Sequence, residues 1–243
     1  MYFSMTFGDK NTWDDWRLVP TTLPVIAPPV KNTQIITIPN SNSVIDLSDS
    51  LTGYPTYGRR TGTIEYVALG LENDEYTWEQ LKSELINYLY GQKMKVHYEE
   101  EPGWYYEGYI SLKTFVNDKI SPKVTIGYDL DPYKWSDAID IDTITLTDAS
   151  VVVNKTYSNH HFGEAPVTPT FEVVDNSTND DGIVVLIRNI DSPAIYKYPN
   201  AAFEHIFHDG TTVFEDGVIW GNETEIAYSG VGTVKLITRR GKL

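Results

Sequence analysis

TWEQLKSELINYLYGQKMKVHYEEEPGWYYEGYISL, residues 77–112, carries two hydrophobic periods in direct succession. In the first part Trp78, Leu81, Leu85, Tyr88 and Leu89 recur at helical spacing, with Glu79, Lys82 and Glu84 off the stripe. Thr77 with Gln80 has the spacing of a capping box, and Gly91 stands where helices end in a left-handed residue. Period and both caps therefore predict one helix over residues 78–90. With Trp78 drawn into the core, its truncation to Ala is expected to cost about 3–5 kcal/mol. From Lys93 the period falls to two: Met94, Val96 and Tyr98 point one way, Lys93, Lys95, His97 and Glu99 the other. A Pro102-Gly103 turn follows, then a second alternating run with Trp104, Tyr106, Ile110 and Leu112. That is a β-hairpin with an acidic loop.

Outward from this stretch the chain reads as strands and turns. Val124, Ile126, Tyr128 and Leu130 alternate before Pro132 ends the run. Beyond it no second helix is expected. Short β-rich runs recur at Thr143–Leu146, Ser150–Val153, Pro169–Val174, Ile183–Ile190, Ala201–Phe207, Thr212–Phe214, Thr224–Tyr228 and Thr233–Thr238. Their number and spacing point to a β-sandwich of jelly-roll type. The fold class is mainly β with one α-helix. A length of 243 residues suits two modest domains. The pattern change over Pro132–Asp142 divides residues 1–136 from 137–243, with the last strand free to return toward the first domain.

The formal charge is −15, from 34 acidic and 19 basic residues. Such a chain has no general attraction for nucleic-acid phosphates or an anionic membrane surface, and its basic doublets, Arg59-Arg60 and Arg239-Arg240, are too sparse for either. There is no cysteine, hence no disulfide and no thiolate metal site, which fits folding in a reducing compartment. No signal peptide or membrane-spanning run is read.

Candidate chemistry is thin. His205 and His208 are three apart on an apparent strand, which turns their rings to opposite faces instead of toward one metal. His160-His161 lacks a nearby ligand partner. The loop Asp175–Gly182 places Ser177, Asn179 and Asp181 like calcium ligands, yet Arg188 falls where a bidentate Glu is required, so a solvated turn is expected. Acidic pairs such as Asp129/Asp131 and Asp140/Asp142 line one side of a strand, whereas glycoside hydrolysis needs two carboxylates across a cleft. No nucleophile elbow, P-loop or dinucleotide fingerprint occurs. No catalytic residue, metal or cofactor is assigned. The aromatics Trp104, Tyr105 and Tyr106 are the candidate sugar-stacking surface.

Several local motifs, taken in order, resemble the distal tail protein family of siphophages and related prophages. Phe7-Gly8-Asp9-Lys10-Asn11-Thr12-Trp13 with Trp16, Arg17 and Leu18 is similar to the family's opening strand and turn. Ile38–Leu47 is close to its "Pro-Gly-x-x-Gly-x-x-Asp-Leu" segment, with Asn40 and Ser43 where glycines are usual. Leu51-Thr52-Gly53-Tyr54 and Tyr57-Gly58-Arg59-Arg60 resemble its lead into a strand, and Trp104–Gly108 its "Tyr-Tyr-x-Gly" return strand. Asp131-Pro132-Tyr133-Lys134 is like the close of its first domain, and Gly232–Leu236 through Leu243 like its ending. The resemblance is concentrated in residues 1–135 and the C-terminus.

The resemblance implies a non-enzymatic structural subunit of a phage or prophage tail tip. Its first domain forms a ring, and its second is a galectin-like or jelly-roll β-sandwich. The implied assembly is a homo-hexamer, in one ring or two stacked rings, at the baseplate hub of the virion, put together in the bacterial cytoplasm. Implied partners are the tail tube protein, the tail-associated protein and receptor-binding or other baseplate proteins. DNA would pass through without specific binding, and no membrane is involved. Within that reading the non-core side of the hairpin, Lys93, Lys95, His97, Tyr105, Glu107 and Tyr109, is the candidate subunit interface. The rival is a carbohydrate-binding β-sandwich module, or an adhesin for bacterial cell-wall or host glycans.

Overall fold

The structure is a computed structural model. It describes residues 3–50, 54–70, 77–118, 120–158, 161, 163, 165–177, 181–190, 202–214, 219 and 223–243. The first strands are β1 (Met5–Phe7), β2 (Lys10–Asn11), β3 (Leu18–Pro20), β4 (Ile35–Thr37), β5 (Val44–Asp46) and β6 (Arg60–Ala68). Helix α1 (Trp78–Leu89) precedes β7 (Lys93–Tyr98), β8 (Trp104–Val116), β9 (Lys123–Leu130) and β10 (Lys134–Ser136). Then come β11 (Ile139–Leu146), β12 (Val153–Ser158), β13 (Thr170–Asp175), β14 (Ile183–Ile190) and β15 (Ala202–Phe207). The last are β16 (Gly210–Val213), β17 (Glu223–Ser229), β18 (Gly232–Thr238) and β19 (Gly241–Lys242). Mainly β with a single helix among the described residues, the fold is the class read from the sequence.

The chain divides into two compact units, one of residues 1–30 and 57–135, the other of residues 31–56 and 136–243. The sequence reading leaves 31–56 in the first domain, whereas the structure groups that excursion with the second unit.

In the first unit an antiparallel sheet runs in the order β2-β1-β7-β8-β9-β6-β3. Helix α1 begins in a complete capping box: the Gln80 N–H donates to Thr77 Oγ1 at 3.3 Å and the Thr77 N–H to Gln80 Oε1 at 2.7 Å. Its Leu81, Leu85 and Leu89 are buried in a core with Phe7, Trp16, Leu18, Tyr66, Ile110 and Leu130. Trp16 ties down the helix by donating from Nε1 to Glu84 Oε1 at 2.9 Å. Tyr88 donates its hydroxyl to the Asp9 carboxylate, and that bond holds the Asp9 carboxyl below its usual range. At the helix end Gly91 takes φ 73°. The turn lets the Gly91 N–H reach Ile110 O and the Ile110 N–H reach Gln92 O, both at 2.9 Å. The helix end thus feeds directly into the first rung of the β7–β8 ladder, Lys93 opposite Tyr109.

Trp78 departs from its expected place. It is half-buried, edge-on to Phe115 at 5.9 Å, with Nε1 donating to Asn117 Oδ1 at 2.7 Å. It packs against the rim of the core and pins the tip of the β8–β9 hairpin to the helix. Trp78→Ala is accordingly expected to cost about 2 kcal/mol, from partial burial and one hydrogen bond. A urea titration checks this; a loss near that of a fully buried tryptophan would contradict the placement.

The second unit holds two four-stranded antiparallel sheets, β11-β18-β13-β16 and β12-β17-β14-β15. Phe171 on β13 meets Phe207 on β15 at 5.1 Å and Tyr228 on β17 at 6.4 Å, so the two sheets share a core. This is the expected sandwich. Strand β12 begins at Val153, where the sequence reading ends its run at Ser150–Val153; Val151 and Val152 stay exposed outside the ladder. The excursion 31–56 forms a two-stranded sheet of β4 and β5.

Candidate functional site

Strands β7 and β8 pair with Lys93 opposite Tyr109, Lys95 opposite Glu107 and His97 opposite Tyr105. Directly opposed residues share a face and alternate positions along a strand repeat it, so all six lie on one side of the sheet. Val96 and Tyr106, opposite each other in the same ladder, occupy the core side. The structure therefore brings together every residue of the candidate interface read from the sequence.

The face is knitted by charge. Lys93 Nζ meets Glu107 Oε1 at 2.9 Å, and that hydrogen bond holds the Lys93 ammonium above its ordinary range. Lys95 Nζ lies 4.1 Å from the centre of the Tyr105 ring, and the His97 ring is 5.5 Å from the same tyrosine. On the next strand Asp129 stands opposite Tyr109. Arg59 spans the end of the sheet, donating from Nε to Asp129 Oδ1, from Nη1 to Asp131 Oδ1 and from Nη2 to Asp129 O, each at 2.6 Å. Burial pulls the Arg59 guanidinium down, but its two aspartates outweigh that and hold it above its usual value. Its Cζ sits 5.6 Å from the Tyr109 ring centre, and Tyr109 is 51% exposed. The pair Asp129/Asp131 thus serves as an arginine clamp. The arrangement offers paired charges and one open aromatic, which suits recognition of another macromolecular surface.

The candidate sugar-stacking aromatics do not make a platform. Tyr105 is 4% exposed beneath Lys95, and Tyr106 is 8% exposed with the buried Arg60 guanidinium 5.4 Å from its ring centre. Trp104 and Tyr106 share one parity on β8 and Tyr105 the other, so adjacent rings point to opposite faces. The alternation that makes the hairpin forbids three consecutive rings in one plane.

Elsewhere the chemistry-bearing residues serve structure. Asp175 closes its loop by accepting from the N–H groups of Ser177 at 2.8 Å and Gly182 at 3.0 Å. Gly182, at φ 76°, is the turn glycine, and Asn179 lies outside the described residues. His205 packs against the Phe207 and Phe214 rings at 4.7 and 5.5 Å. His161 lies edge-on to Tyr157 at 5.8 Å, and His160 is outside the described residues. Among the described residues no group of three or more His, Asp or Glu is placed to hold a metal ion, and no helix is long and apolar enough to cross a membrane. The Arg59 clamp is a site feature that the sequence reading missed, since its partners lie 70 and 72 positions away along the chain.

No protein-family model matches the chain, and no curated protein matches it. Among solved structures it is similar to the crystal structure of phage SPP1 Dit (gp 19.1), described as a paradigm of the hub adsorption apparatus in phages that infect Gram-positive bacteria. The likeness covers 100% of both chains with a TM-score of 0.63 at 13% identity. The chain has the fold of that protein from end to end.

Proposed function

We propose that this protein is a structural, non-enzymatic subunit of a phage tail tip that closes into a hexameric hub ring. The ring would join the tail tube protein above to tail-associated and receptor-binding proteins. The observation that carries the reading is the fold likeness to SPP1 Dit over the full length of both chains. The sheet face of Lys93, Lys95, His97, Tyr105, Glu107 and Tyr109 supports it, because alternating charges with an exposed aromatic suit a repeated contact between identical subunits. With a formal charge of −15 per copy, the bore is expected to carry acidic or neutral side chains that let DNA slide past.

Mass photometry and cryo-electron microscopy of the purified chain test this. Rings of six or twelve copies with a bore not dominated by Lys and Arg are expected. Closed assemblies of another order, or a bore lined with basic side chains, would contradict the reading. A single chain that binds cell-wall polysaccharide would favour the carbohydrate-binding module instead.

A further inference from the structure

Two cations lie inside the first unit, largely cut off from water: Arg60 is 5% exposed and Lys134 9%. Arg60 donates to the carbonyls of Pro132 and Ala27, which carry no charge. Burial pulls its guanidinium below the usual value, against the phenols of Tyr106 and Tyr128 and the Glu101 carboxylate. Lys134 Nζ donates to both Glu101 oxygens, at 2.6 and 2.7 Å. Glu101 therefore answers both buried charges. It comes from the turn between β7 and β8, where Glu99, Glu100 and Glu101 stand in a row.

The pair is lopsided. The Lys134 side chain is 11% exposed, that of Glu101 37%. Deprived of its partner, Lys134 is a stranded charge beside a second cation, whereas Glu101 can turn to water. The buried lysine thus needs the turn more than the turn needs the lysine, and the neighbouring glutamates repel one another while it stays closed. Glu101 also organises the main chain there. Its N–H donates to Tyr98 O at 3.0 Å, and its carbonyl accepts from the Trp104 N–H at 3.3 Å. Tyr98 ends β7 and Trp104 begins β8; the adjoining rung is His97 opposite Tyr105, with the two rings 5.5 Å apart. We propose that the β7–β8 turn, residues 99–103, is a lid that Lys134 holds shut through Glu101, and that it opens as a unit, with the core beneath intact, once that hold is removed. Lys134 is then a positioning residue for the end rung of a face on which it does not itself lie. The lid stands whether or not the chain closes into a ring.

Amide exchange on the full chain reads lid and core together: the Glu101 and Trp104 amides report the turn, and those of α1 report the core. Lys134→Met keeps the apolar stem and should speed the turn amides by about tenfold or more, with α1 unchanged. Glu101→Gln leaves the lysine stranded and should speed α1 by about tenfold or more. The double variant should return α1 to the parent's rate while the turn stays fast, because no buried charge is then left without its partner. A turn as protected in Lys134→Met as in the parent would overturn the lid. So would Lys134→Met that speeds α1 along with the turn, or a double variant whose α1 exchanges as fast as that of Glu101→Gln.

Discussion

Phe171→Ala is expected to destabilise the second unit by about 3–5 kcal/mol. Phe171 is fully buried and stands where the two sheets meet, with Phe207, Phe214 and Tyr228 ring centres at 5.1, 6.2 and 6.4 Å. Strands on both sides are held in ladders, so the void left by the ring cannot close by local collapse. The same cavity would weaken the seat of Tyr228, whose hydroxyl lies 3.5 Å from that of Tyr157. Burial already pushes both phenols far above their usual range. Amide exchange should accelerate in β13 and β17 while the first unit stays protected. Unchanged exchange in those strands would show that the sheets do not depend on a common core.

Arg60→Met carries the second large effect, about 3 kcal/mol. Its neighbour provides the control. Arg60 is buried and donates from Nε to Pro132 O at 2.8 Å and from Nη1 to Ala27 O at 3.0 Å. Methionine keeps the apolar stem but leaves two carbonyls without their donor, each worth about 1–3 kcal/mol, partly offset by no longer burying a charge. That burial pulls the guanidinium below its usual value, against Tyr106, Tyr128 and Glu101. Arg59, with a side chain 38% exposed, sits in a surface clamp whose loss should cost about 0–1 kcal/mol. Urea midpoints of the two variants decide the matter. Equal shifts would mean that the carbonyl contacts of Arg60 contribute nothing.

The helix and the β7–β8 hairpin were legible in the sequence because each repeats its pattern within a dozen residues and carries its own stop signals. The parity of Lys93, Lys95 and His97 against Met94 and Val96 sufficed to gather one face of a sheet. Other features needed the folded chain. Strand β12 carries Asn154, Lys155 and Thr156 at the edge of its sheet, so solvent-facing residues mask its period. Arg59 and Arg60 read as an inert basic doublet because their partners, Asp129, Asp131, Pro132 and Ala27, lie 33 to 72 positions away along the chain. Trp78 fits a helical stripe, but it lies in the first turn, at the rim of the core, where the hairpin tip covers it. The aromatic run Trp104–Tyr106 misleads for a simpler reason: composition shows three rings, and only pleating shows that they diverge. In the β4–β5 sheet the aliphatic residues are plain to see, but their exposure is not, since a buried strand reads the same way.

The junction between α1 and β7 works as a ruler. Gly91 and Gln92 are both bonded to Ile110, so no slack exists between the last helical turn and the first rung of the hairpin. One added residue there would rotate Lys93, Lys95 and His97 inward and push Met94 and Val96 into solvent. At the other end of the same hairpin, a change in length of the acidic tip at residues 99–103 need not alter the pairing register, provided that Glu101 keeps its ion pair with Lys134 Nζ at 2.6 Å. Variation in a protein built this way is channelled to the tip, while the helix end is held to one length.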